Sequence, residues 1–184
     1  MKKFTTYQIA TCAIFSALMC ILGPLALPIG PVPISLTNLV VYLAVFILGT
    51  KLGTVSYVVY LLLGAVGLPV FSNYAGGLVK LAGPTGGYLI GFIPMAIICG
   101  ISVSKFMNKK VLLVVGFVIA TLVAYLFGTI WFVVSLECKV WYALTVCVFP
   151  FLIGDGIKIA VSVVLGSILR KRLAALGFIG SKEE

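Results

Sequence analysis

Six apolar runs, separated by charged residues or by Pro/Gly clusters, constrain this chain more than any other feature. A membrane-spanning helix needs roughly 20 apolar residues, and 62% of the 184 residues are hydrophobic while only 9% are charged. Residues 1–184 are therefore predicted to form a single all-α domain of six transmembrane helices in the cell membrane. The predicted spans are residues 7–27, 34–49, 52–68, 85–104, 111–134 and 145–169. The second span is the shortest and is expected to be tilted or joined tightly to the third.

The basic residues that give the net charge of +9 follow the positive-inside pattern of membrane proteins rather than the pattern of a nucleic-acid-binding surface. Placing both termini in the cytoplasm leaves only Lys80 and Lys139 outside. It assigns to the inside Lys2, Lys3, Lys51, Lys105, Lys109, Lys110, Arg170, Lys171, Arg172 and Lys182. No nucleic-acid partner is predicted, and the glycine-rich segment 71–88 is expected on the extracellular side.

Asp155 and Lys158 are charged residues set inside the last apolar run, PFLIGDGIKIAVSVVLGSIL. Charges in a membrane cost on the order of 3 kcal/mol each and usually mark function. At a spacing of i, i+3 the two side chains share one helix face and can neutralise each other. Counting back from Arg170 places Asp155 about 22 Å along the helix, in the outer half of the bilayer. Either the pair is a self-contained ion pair that fixes helix packing, or it belongs to a binding site near the outer surface.

The segment FSNYAGGLVKLAGPTGGY, residues 71–88, is too polar and too glycine-rich for a simple connection between two spans. Asn73 offers an amide and Tyr74 a phenol, while glycines permit the tight turns needed to fold a loop over a helix bundle. The segment is therefore predicted to be a lid over the outer end of the bundle. The alternative is that its glycines merely make compact turns.

Several classes of site are not predicted. The chain has no histidine, and its five cysteines have no metal-ligand spacing. No phosphate-binding glycine motif is present either. We therefore expect no metal, no cofactor and no catalytic residue. An intramembrane enzyme is the weaker alternative, because such chemistry needs two or more convergent ionisable or nucleophilic groups.

Three stretches of the chain resemble the BioY family, the biotin-binding S-components of energy-coupling factor (ECF) vitamin transporters. They are GPVPISLTNL at 30–39, YLLLGAVGLPVFSNYAGGLVKLAGPTGGYLIGF at 60–92 and PFLIGDGIKIA at 150–160. The family commonly has Gln and Thr where this chain has Thr37 and Asn38, so Asn38 is the candidate to supply the amide. An S-component for another small vitamin is the alternative function.

The resemblance implies a protein that captures biotin at its extracellular face and has no ATPase of its own. Its partners would be a transmembrane coupling subunit and two cytoplasmic ATPases. The resemblance also implies an Ala-x-x-x-Ala docking face on the first helix, matched here by Ala13 and Ala17. Small residues at this spacing let transmembrane helices approach closely.

The chemistry of biotin suggests a role for each candidate ligand-binding residue. Asp155 would accept a hydrogen bond from a ureido N–H while Lys158 donates to the ureido carbonyl, and Asn73 would supplement either. In a rival pose Lys158 pairs with the biotin carboxylate. Tyr74 and Tyr88 are candidate walls for the apolar ring.

Overall fold

Helices form nearly all of the structure, a computed structural model that describes residues 5–27 and 32–175. The helices are α1 (Thr6–Leu22), α2 (Thr37–Ala65), α3 (Leu78–Ala82), α4 (Gly86–Phe106), α5 (Lys110–Leu136), α6 (Val140–Cys147) and α7 (Phe149–Ala175). A 3₁₀ turn covers Ser72–Tyr74, and the short strands β1 (Ala26–Leu27) and β2 (Ile34–Ser35) pair antiparallel. The predicted cytoplasmic residues Lys2, Lys3 and Lys182 lie outside the described residues.

Helix α1 begins at a capping box and ends before a proline. The Thr5 side chain accepts a hydrogen bond from the Gln8 backbone, and the Gln8 side chain accepts one from the Thr5 backbone. The sequence predicted a span as far as Leu27, which is wrong, because the helix ends at Leu22. Pro24 follows Gly23 directly, and proline ends helices by removing an N–H donor and crowding the preceding turn.

Helix α2 contains the second and third predicted spans, folded back on each other at Gly49. Its backbone there has φ 79° and ψ 179°, a region that is essentially restricted to glycine. A Cβ at Gly53 would touch Val45 across the bend, so the two arms lie side by side. The expected tight join is therefore confirmed. The first arm, residues 37–48, rises only about 18 Å, which is less than the roughly 30 Å of a bilayer's hydrocarbon core.

The helices are long and apolar enough for a multi-pass cell-membrane protein. Helices α4 and α5, together with residues 140–175, are of membrane-spanning length and hydropathy. The 29 residues of α2 reach that length only as its two arms together, and α1 is a shorter apolar helix of 17 residues. Their outer surfaces carry exposed aliphatic side chains, such as Ile153 and Ile130, which suit contact with lipid. The predicted all-helical membrane fold is confirmed, with the two-residue strands as an addition.

The last predicted span, 145–169, begins too early. Thr145 belongs to α6, and α7 starts at Phe149 with Pro150 in its first turn. Proline is favoured at that position because the N–H it lacks has no acceptor within the helix.

Packing brings the Gly49 bend to one end of the bundle and the strands to the other. Near the bend, Gly100 of α4 approaches Thr50, and the Arg170 guanidinium of α7 donates to the Phe46 carbonyl at 2.9 Å. We call this the bend end, and the opposite end the strand end. Among the described residues, the bend end holds cations and no Asp or Glu. These cations are Lys51, Lys105, Lys109, Lys110, Arg170, Lys171 and Arg172.

Candidate functional site

The charged pair in α7 lies inside the bundle, toward the strand end, and not on the lipid-facing surface. Lys158 Nζ is 3.0 Å from Asp155 Oδ1, and both residues are buried. The continuous helix from Phe149 to Ala175 confirms that the two side chains share a face. Burial of a charge in a membrane protein requires polar partners, and the surrounding helices supply them.

Asn38, at the start of α2, joins the pair from the opposite wall. Its Nδ2 donates to Asp155 Oδ1 at 2.8 Å, and its Oδ1 accepts from Lys158 Nζ at 3.0 Å. The first arm of α2 is short, so its N-terminal end stops inside the bundle at the level of the α7 charges. Because α2 begins at this level, the Asn38 side-chain amide lies inside the bundle, where a longer helix would continue with apolar residues.

Two further groups complete the network. Tyr125 of α5 donates to Asp155 Oδ2 at 2.6 Å, and the Ser35 carbonyl of β2 accepts from Lys158 Nζ at 2.8 Å. The strand pairing of Ser35 with Ala26 holds that carbonyl in place. Three elements, α2, α5 and β2, therefore converge on the ion pair of α7.

A cavity of about 60 Å³ opens beside this network. Its polar side is formed by Asn38, Asp155 and Lys158, and its apolar walls come from aromatic and aliphatic side chains. The lining residues are Val32, Pro33, Ser35, Thr37, Asn38, Ser72, Thr85, Tyr88, Leu89, Phe92, Tyr125, Phe151, Asp155 and Lys158. An apolar pocket with a few convergent polar groups is the usual form of a small-molecule site.

The structure brings four of the predicted ligand-binding residues to this cavity: Asp155, Lys158, Asn38 and Tyr88. The Tyr88 hydroxyl donates to the Cys147 carbonyl at 2.6 Å, which fixes its ring against the cavity. Because the hydrogen bond fixes its orientation, the Tyr88 ring can pack against an apolar ring of a ligand.

Asn73 and Tyr74 are not among the lining residues. Both side chains are exposed, and Tyr74 keeps 65% of its surface accessible. Their backbones adopt positive φ values of 62° and 56°. Their part in binding stays a prediction.

The segment carrying these two residues is anchored over the strand end of the bundle. Phe71 is fully buried against Gly64, where any side chain would overlap its ring, and against the ring of Tyr60. The Asn73 N–H donates to the Pro24 carbonyl at 3.1 Å. Ser72, between them, lines the cavity. The segment thus borders the cavity through Ser72.

Ala13 and Ala17 lie on the outer surface of α1, where both are exposed. The opposite side of the helix packs inward: Ser16 Oγ donates to the Ser56 carbonyl at 2.8 Å, and Met19 is fully buried. The two alanines are therefore available to a neighbouring helix.

Sequence reasoning missed Tyr125, Phe92 and Phe151. Tyrosine normally lies at the membrane surfaces, so a tyrosine near the middle of the span 111–134 was a usable signal for Tyr125. The two phenylalanines stand in apolar runs that contain many similar residues, and nothing local distinguishes them. The carbonyl of Ser35 carries no side-chain signal at all.

Comparisons with known proteins identify the family of this chain. A profile of the BioY family matches residues 1–175. The biotin transporter BioY of Thermotoga maritima is 46% identical over 98 residues, covering 53% of this chain and 58% of that protein. The probable biotin transporter BioY of Pyrococcus horikoshii is 34% identical over 163 residues, covering 89% of this chain and 96% of that protein.

A solved structure, described as the S-component for biotin from an ECF-type ABC transporter, has the same fold. It superposes with a TM-score of 0.84 at 29% identity, covering 92% of this chain and 95% of the other. The family profile covers nearly the whole chain, and the fold similarity extends over the same length. This chain is a member of the BioY family.

Proposed function

We propose that this chain is a membrane-embedded S-component that captures biotin at the extracellular side of the cell membrane. The observation that carries the proposal is the buried Asn38–Asp155–Lys158 network beside an apolar, aromatic-walled cavity at the strand end of the bundle. The names of the curated relatives and of the solved neighbour support biotin as the ligand.

The hydrogen-bonding capacity left over in the network fits a ureido group. A carboxylate has about four acceptor positions. Within residues 5–27 and 32–175, three groups donate to Asp155, from Asn38, Lys158 and Tyr125. One position remains on Oδ2. The Asn38 amide donates one of its two N–H groups to Asp155, and the same amide lies beside the Tyr42 hydroxyl. When the second N–H turns from Tyr42 to a ligand, it and the open position on Asp155 complement an N–H beside a carbonyl, which is the edge that a cyclic urea presents.

Lys158 has less capacity to spare. Its ammonium has three donors, and these are directed at Ser35, Asn38 and Asp155. To donate to the ureido carbonyl or to pair with the biotin carboxylate, Lys158 must give up one of these bonds. We therefore propose that Asn38 donates to the ureido carbonyl and that Lys158 mainly positions Asp155 and Asn38.

Uptake requires partners that this chain does not supply. We propose that it works with a transmembrane coupling subunit and two cytoplasmic ATPases, with both of its own termini in the cytoplasm. The cation-rich bend end supports the orientation, since basic residues favour the cytoplasmic side. Because the relatives are named transporters, we reject the alternative that this chain is an intramembrane enzyme.

Titration of the purified protein in detergent with biotin tests the site. We expect Asp155→Ala to weaken binding about tenfold or more, since an unmatched polar group in a buried site costs about 1 to 3 kcal/mol. Gly156→Ala is the matched control in the same helix turn, because a Cβ there meets no atom within 4 Å. Unchanged biotin affinity in a folded Asp155→Ala protein would refute this site.

A further inference from the structure

A second concave surface lies at the bend end, on the outside of the bundle. It is a groove of about 430 Å³ between the second arm of α2 and α4, which we call the Lys51 groove. Its lining residues are Thr50, Lys51, Thr54, Val55, Val58, Val59 and Ile97. None of these residues lines the proposed biotin cavity, so the groove is a separate feature.

The groove faces away from the protein's own helices. Along the second arm of α2, Leu52 and Ser56 face α1, and Tyr57 and Tyr60 are fully buried. Positions 54, 55, 58 and 59 recur at helical spacing on the remaining side. In a membrane that side meets acyl chains, and its valines offer no aromatic or arginine anchor of the kind that dominates protein interfaces.

The surface inside the groove is apolar, so Lys51 and the threonines line it through their aliphatic atoms. Lys51 is exposed directly after the Gly49 bend, where the other cations of the bend end also lie and where the described residues include no acid. Anionic headgroups are attracted to such clusters. The charge at this end therefore favours a negatively charged occupant.

Thr54, one helical turn from Lys51, carries an unsatisfied hydroxyl. Its Oγ1 is buried and has no hydrogen-bond partner among the described residues. A buried hydroxyl without a partner is destabilising. Rotation about χ1 exchanges the hydroxyl with the methyl group, and since Thr54 borders the groove, this rotation can present the hydroxyl to an acceptor bound there.

We propose that the Lys51 groove binds one anionic phospholipid. Along the second arm of α2, a charged, a polar and then several apolar side chains follow one another, as phosphate, ester and acyl chain do in such a lipid. Lys51 pairs with the phosphate, the Thr54 hydroxyl donates to a glycerol ester carbonyl about 4.5 Å further along the helix axis, and Val55, Val58 and Val59 contact the acyl chain. The site does not depend on the proposed biotin function.

Thermal unfolding in detergent with added lipid tests the proposal. Phosphatidylglycerol at about ten times its Kd should raise the apparent Tm by about 3 °C or more. Phosphatidylcholine with the same acyl chains, and glycerol 3-phosphate without acyl chains, should give less than half of this shift. The phosphate and the chain are both needed, because each occupies its own part of the groove.

Substitutions inside and outside the groove test whether the Tm increase caused by phosphatidylglycerol comes from lipid bound there. Lys51→Gln and Thr54→Val should each lose at least half of the phosphatidylglycerol shift, although Thr54→Val removes an unsatisfied hydroxyl and should not lower the Tm without lipid. Lys110→Gln, at the same end but outside the groove, and Thr54→Ser, which keeps a hydroxyl, should retain the shift.

Three results would overturn the proposal. The first is an equal shift from phosphatidylcholine, and the second is a full shift from glycerol 3-phosphate alone. The third is a Lys51→Gln protein that responds normally to phosphatidylglycerol but no longer co-purifies with its coupling subunits, which would make the groove a protein interface. Biotin titration of the same variants separates this outcome from failure of the biotin site.

Discussion

At the scale of single residues, the candidate site is built around the Asp155 carboxylate and the side chains that donate hydrogen bonds to it. Asn38 and Lys158 share Asp155 Oδ1, whereas Oδ2 accepts from Tyr125 and from no other group among the described residues. The Tyr125 hydroxyl therefore fixes the rotation of the carboxylate, and with it the direction of the acceptor position left for a ligand. Removal of one partner from a buried network leaves the other partly unsatisfied.

Tyr125→Phe should weaken biotin binding by about five- to tenfold, because Asp155 loses its 2.6 Å bond and part of its orientation. Tyr57→Phe is the control. It removes another buried tyrosine hydroxyl, which donates to the Leu89 carbonyl at 2.6 Å and takes no part in the network. Calorimetric titration and thermal unfolding of both variants measure affinity and stability separately. Equal loss of stability with unchanged Tyr125→Phe affinity would show that the tyrosine is only structural.

The sequence pointed to part of this site for a clear physical reason. Asp155 and Lys158 stand out because charges are rare in apolar runs, and their i, i+3 spacing fixes their relation within one helix. Asn38 and Tyr88 were identified with the help of family resemblance. Tyr125 and the Ser35 carbonyl reach the pair through tertiary packing, over separations of 30 and 123 residues, and no local pattern encodes such distances.

At the scale of elements, α1 has two faces with different roles. Cys12, Ser16 and Met19 are buried against the bundle, whereas Ala13 and Ala17 are exposed. An exposed pair of small residues four positions apart suits close helix–helix contact in a membrane. We propose that this face docks on the coupling subunit.

Replacement of Ala13 or Ala17 with Trp should abolish biotin uptake by cells and leave biotin binding by the purified protein unchanged, because the bulky side chain blocks docking without touching the cavity. Ile14→Trp, on the same helix but off the two-alanine row, serves as the comparison and should retain more uptake. Transport assays and titrations on the same variants measure the two properties. Loss of binding together with uptake would instead assign the alanines to internal packing.

Element boundaries were predictable where a local signal exists. Gly49 and the short second span predicted the tight join within α2, and Thr5 with Gln8 encodes the start of α1. The C-terminal end of α1 and the start of α7 were misplaced because apolar residues continue past Pro24 and precede Pro150. Hydropathy marks neither boundary, whereas proline follows the end of α1 and lies in the first turn of α7.

At the scale of the whole molecule, the short first arm of α2 leaves room for the candidate site. Because this arm ends inside the bundle, the strands and the segment around Ser72 close the space above it. The cavity of about 60 Å³ has room for a few water molecules, and biotin is much larger. We therefore expect the segment around Ser72 to move outward when a ligand binds.

The most direct test of the central claim compares two biotin analogues in calorimetric titrations of the wild-type protein. Biotin amide lacks the carboxylate, and 2-iminobiotin lacks the ureido carbonyl. If the Asn38–Asp155 edge reads the ureido group, biotin amide should bind within about threefold of biotin, and 2-iminobiotin should bind about tenfold or more weakly. Strong binding of 2-iminobiotin with loss of biotin amide binding would contradict the account, because it would assign the network to the carboxylate instead.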